Sequence, residues 1–68
     1  MKPTIVILWT IFHVVNGVKV YGPAEQPLQG VRTIKECESL LPQYVDDRRE
    51  DGWTVTAPGC YATAEVGP

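Results

Sequence analysis

The run Thr4 to Val15, TIVILWTIFHVV, closed by Asn16-Gly17, constrains this chain more than any other stretch. Its β-branched residues Ile5, Val6, Ile7, Ile11, Val14 and Val15, together with Trp9 and Phe12, favour a strand over a helix. Asn-Gly supplies two residues that tolerate positive φ, as a type I′ hairpin turn requires. Val18 to Tyr21 is then the returning strand. A two-residue loop sets Val15 opposite Val18, Val14 opposite Lys19, His13 opposite Val20 and Phe12 opposite Tyr21. One face therefore carries Ile5, Ile7, Trp9, Ile11, His13, Val15, Val18 and Val20. The other carries Thr4, Val6, Leu8, Thr10, Phe12, Val14, Lys19 and Tyr21.

Two other readings of this run compete. A membrane helix needs about 20 apolar residues, and this stretch is shorter and interrupted by Thr10 and His13. That excludes a span. A secretory leader over residues 1–17 would use Lys2 ahead of the apolar run and Val15-Asn16-Gly17 as its cleavage site. The β-branched and aromatic composition, where leader cores are usually leucine-rich, favours the strand.

With 68 residues the chain is expected to be a single domain, 1–68, that buries a smaller share of its surface than an average domain. Such scaffolds draw support from a disulfide, a metal or a partner. Cys37 and Cys60 allow one bridge, worth about 3 kcal/mol in the chain-entropy model; two buried thiols in a reducing cytoplasm are the alternative. With His13 alone they fall short of a tetrahedral zinc set, so no metal and no cofactor is expected. Six basic against eight acidic residues give a net charge of −2, without the basic stripe that nucleic acid demands.

After Gly22-Pro23 the segment to Gly30, with Pro27, reads as a loop crossing the end of the sheet. Thr33 and Glu36 match a capping box at a helix start, the hydroxyl accepting from a backbone N–H and the glutamate reaching back. Ile34, Cys37, Leu40, Leu41 and Tyr44 follow as an apolar stripe with helical period. Pro42 predicts a kink or break, because it removes a backbone bond and crowds the preceding turn. Asp46-Asp47-Arg48-Arg49-Glu50-Asp51 reads as a solvated turn, with the helix fraying before Glu50 since acidic residues oppose a helix C-terminus. Gly52-Trp53 reads as a cap followed by a core anchor. Trp53 to Ala57 alternates as a third strand, and Cys60 to Val66 extends it weakly past Pro58-Gly59.

The expected fold is α+β, strand–strand–helix–strand (ββαβ). Its three-stranded antiparallel sheet has the order 2-1-3, with the helix packed on one face. The long first strand is central, which explains its continuous apolarity. One helix covers only one face of such a sheet, and the face with Trp9 is the richer. Val6, Leu8, Phe12, Val14, Lys19 and Tyr21 are left on the open side as a candidate partner-binding surface, unless the Gly22 to Gly30 loop or the C-terminal tail covers them. The acidic residues Asp46, Asp47, Glu50 and Asp51 form a second candidate surface; they lack the ligand spacing and central glycine of a calcium loop. His13 has no neighbour with which to build a triad and reads as a half-buried packed histidine. No nucleophile with its base and no carboxylate pair stands out, so neither an enzyme nor a small-molecule substrate is expected.

The hairpin, the capped helix with Thr33-Ile34-Lys35-Glu36-Cys37-Glu38 and the last strand with Trp53-Thr54-Val55-Thr56 before Cys60 are similar to small accessory proteins of tailed bacteriophages. In element order the chain resembles the compact phage inhibitors of bacterial RNA polymerase. Those are strongly acidic in their binding region, and here only the Asp46 to Asp51 turn is comparable. The resemblance implies a small protein that binds and blocks a host macromolecule in the cytoplasm of an infected bacterium. Two alternatives stand beside it: an exported or periplasmic disulfide-stabilised protein, and a homo-oligomeric virion accessory subunit.

Overall fold

The computed structural model describes residues 4–63. β1 (Thr4–Val15) and β2 (Val18–Tyr21) form the hairpin in the register expected from the Asn-Gly turn. Asn16 and Gly17 both take positive φ, 51° and 78°, as the turn demands. β3 (Glu25–Leu28), α1 (Ile34–Glu50) and β4 (Thr54–Thr63) follow.

The sheet contains a strand that the sequence does not announce. Glu25 to Leu28, expected as loop, pairs antiparallel with Ile5 to Leu8 of β1. Those same β1 residues pair with β4 on their other side, and Phe12 likewise joins Tyr21 of β2 to Thr54 of β4. β2 and β3 therefore lie end to end along one edge of β1, and β4 occupies the other. Between them, Gly22 donates its N–H to the Ile11 carbonyl at 2.9 Å and Trp9 donates to Ala24 at 3.0 Å. The Trp9 indole adds a bond to the Pro23 carbonyl at 3.1 Å. The segment thus runs beside β1 rather than across its end. Pro27 is tolerated because β3 is an edge strand, whose outer side needs no N–H donor.

β4 is longer than Trp53 to Ala57 and carries a bulge. Thr56 pairs with Thr10 and Gly59 with Leu8, so Ala57 and Pro58 together oppose Trp9. Ala57 adopts φ 51° to make the extra step. The expected extension over Ala64 to Val66 lies outside the described residues.

Of the kink or break expected at Pro42, the break does not occur: α1 runs unbroken through it. Pro42 sits on the exposed side, where the carbonyl it leaves unpartnered is free to bond water. The helix starts as expected at Thr33, whose Oγ1 accepts from the Glu36 N–H at 3.1 Å. The Glu36 carboxylate takes the Thr33 hydroxyl, at 3.4 Å, rather than the Thr33 N–H.

The C-terminal end also differs from expectation. Asp46 to Glu50 are helical, and Gly52 at φ 91° closes the helix as its N–H bonds the Arg49 carbonyl while the Trp53 N–H bonds that of Arg48, both at 3.0 Å. This is a Schellman closure. Those bonds, with Arg48 and Arg49 in the last turn, outweigh the unfavourable acidic side chains at the negative end of the dipole.

The core lies between α1 and one face of the sheet: Ile5, Ile7, Trp9, Ile11, Leu28, Cys37, Val45 and Val55, with Val31, Ile34, Leu41, Tyr44, Trp53 and Cys60 packed against it. Cys37 and Cys60 form a disulfide that ties the helix to β4 across this core.

Candidate protein-interaction surfaces

α1, about 25 Å long by its helical rise, covers only part of a central strand of about 40 Å. The covered part is the Ile5 to Ile11 end. Val15, Val18 and Val20, expected beneath the helix, are exposed instead because α1 ends at Glu50 and its closing Gly52 lies level with His13. There His13 closes the core: its ring stacks on Trp53 with centroids 3.6 Å apart, and Nδ1 donates to the Gly52 carbonyl at 2.9 Å. The carbonyl can only accept, so Nδ1 carries the hydrogen. Beyond this cap the hairpin projects with apolar side chains on both faces.

On the face away from the helix, the six candidate residues separate into three groups. Val6 is 1% exposed, seated between its cross-strand neighbours Pro27 and Tyr61, and offers no surface. The β3 edge strand and β4 thus supply part of the cover that a loop or tail was expected to give. Phe12 is half-buried: the Tyr21 ring lies 5.8 Å from it, and the Lys19 ammonium stands 4.9 Å from its centroid. Leu8, Val14 and Tyr21 are 37%, 61% and 62% exposed. Tyr61, whose ring lies over Gly59, adds a half-exposed aromatic to the same face.

Asp46, Asp47, Glu50 and Asp51 are all exposed, but they lie on α1 and its cap, on the opposite side of the sheet from Leu8, Val14 and Tyr21. The two candidate surfaces are therefore separate patches. Next to the acidic patch is a trough that the sequence reading missed. Its inner chamber, about 240 Å³, is lined by Trp9, Ile11, Pro23, Glu25, Gln26, Arg48 and Trp53. A wider outer chamber is bounded by Tyr44, Asp47, Glu50 and Asp51 and shares Gln26 and Arg48 with the first. At the junction Arg48 Nη2 donates to Gln26 Oε1 at 2.7 Å, and the guanidinium lies 5.7 Å from the centre of the Trp9 ring. No signal in the sequence points to this trough, because its far wall is β3, which reads as loop.

Among the described residues no helix is long and apolar enough to cross a membrane. Comparison with family models, with curated proteins and with solved structures returns no match.

Proposed function

We propose that this chain is a small non-enzymatic protein-binding module whose primary contact surface is the projecting β1–β2 hairpin with the open sheet face behind it. The observation that carries the reading is the exposure of Val15, Val18 and Val20 on one face of the hairpin and of Val14 and Tyr21 on the other, with Leu8 and Tyr61 following on the open face. Contiguous apolar surface of this kind on a small protein marks an interaction site. The partner is another protein, such as a host macromolecule, or a second copy of the chain. Tyr21 supplies the large, nearly rigid contact area that interfaces favour, and Lys19, held against Phe12, supplies the polar rim.

Amide chemical shifts followed over a hundredfold dilution, and again with each protein captured from a bacterial lysate, test the proposal. Changes confined to residues 12–21 and the open face are expected. Changes confined to α1 would contradict it.

A second reading, export to an oxidising compartment, is favoured by one observation, the Cys37–Cys60 bond. Such bonds persist outside the cytoplasm and are rare within it. Expression in the two compartments, with mass measurement after alkylation under non-reducing conditions, separates the readings: two labels on protein taken from the cytoplasm and none on periplasmic protein support export.

A further inference from the structure

The trough beside α1 concentrates charge in a way the whole chain does not. Its lining holds the acidic residues Glu25, Asp47, Glu50 and Asp51 and, among the described residues, the single basic residue Arg48. Arg48 spends its hydrogen bond on the neutral amide of Gln26. The inner chamber is walled by Trp9, Trp53 and Ile11, so an apolar stem entering it meets aromatic surface while its charged end meets carboxylates. The Trp9 ring already has the Arg48 guanidinium 5.7 Å from its centre, so an incoming stem has Trp53 and Ile11 to lie against. At about 240 Å³ the inner chamber is below the roughly 300–1,000 Å³ of ordinary small-molecule sites and suits a single side chain.

We propose that this trough receives a basic side chain, arginine or lysine, from the partner protein. The stem lies against Trp53 and Ile11, and the charge sits between Glu25 and the Asp47–Asp51 rim. The Arg48–Gln26 bond stands beside the seat, at the junction of the two chambers. This rests on the reading of the chain as a protein-binding module and adds a second, electrostatic contact on the side of the sheet away from Leu8 and Tyr21.

The test is a titration of ¹⁵N-labelled protein with a capped pentapeptide of alternating glycine and arginine, read at the indole N–H signals of Trp9 and Trp53. The same peptide with citrulline for arginine serves as the neutral control. Saturable shifts of the two indoles are expected with arginine, with binding at least about fivefold weaker for citrulline. They should also weaken severalfold in Glu25→Gln and Asp47→Asn, both at exposed positions where the fold tolerates the change. Absent indole shifts, equal binding of the citrulline peptide, or indifference to both substitutions would overturn the inference. The amides of Val14 and Tyr21 are recorded in the same spectra. If association of the hairpin persists while the indoles stay silent, the trough assignment fails and the hairpin reading stands.

Discussion

Val55 and Cys60 face the same side of the sheet although an odd number of positions separates them along β4. In a regular strand they would point to opposite faces, since side chains alternate. The extra residue at Ala57–Pro58 reverses the alternation, so Val55 packs beside Ile11 and Cys60 reaches Cys37 on the helix. The bulge is therefore what makes the disulfide geometrically available.

Deleting Ala57 should turn Cys60 to the far face and abolish the bond. The deletion variant is expected to take up two alkyl labels without reductant, where the intact chain takes none. It should also lose roughly the 3 kcal/mol attributable to closing that loop. Ala57→Gly keeps the bulge and relieves an unfavourable positive φ, so its bond should remain and its stability should rise by up to about 1 kcal/mol. A retained disulfide in the deletion variant would show that β4 can shift register to compensate.

Gly22 is expected to resist substitution for a reason of space. A Cβ there would lie 2.6 Å from the Trp53 ring and 3.0 Å from the Ile11 side chain. Trp53 is pinned by His13 on its face and by its N–H bond to Arg48, so it cannot easily withdraw. Gly22→Ala should cost about 1–3 kcal/mol, as overpacking does. Denaturant unfolding followed by tryptophan fluorescence measures the loss, and an unchanged midpoint would mean that Trp53 moves freely.

Gly52 carries the helix closure in a conformation that side chains disfavour. Gly52→Ala should destabilise by about 1–2 kcal/mol without breaking the disulfide, because Cys37 lies at the other end of α1. The change should be visible as weaker amide-exchange protection at Gly52 and Trp53, whose N–H groups make the closing bonds.

The hairpin, its register, the central placement of β1, the helix start and most of the helix's apolar stripe are legible because each depends on local chemistry: Asn-Gly, alternation, Thr33 with Glu36 and 3.6-residue spacing; the stripe includes Leu40, which is outside the core, and omits Val45, which is in it. β3 is not, because Glu25-Gln26-Pro27-Leu28 has little strand character of its own and is held by tertiary contacts: pairing with β1, the Arg48–Gln26 bond and burial of Leu28 in the core. Missing it hid the trough and the cover over Val6. Pro42 and the acidic run misled in the same way. Each is unfavourable locally, yet Pro42 faces solvent and the acidic run is outweighed by the Gly52 closure. The exposure of Val15, Val18 and Val20 follows from relative lengths of strand and helix, which register alone does not convey.

Sedimentation velocity on the intact chain and on the Val14→Ser, Val18→Ser double variant, with and without the captured partner, tests the central claim most directly. Both positions are more than half exposed, so the unfolding midpoint of the variant should stay close to that of the parent. The intact chain should sediment as a complex, with itself or with its partner, and the variant as a monomer under the same conditions. An intact chain that remains monomeric with every candidate partner, or a variant that associates as well as its parent, would contradict that claim.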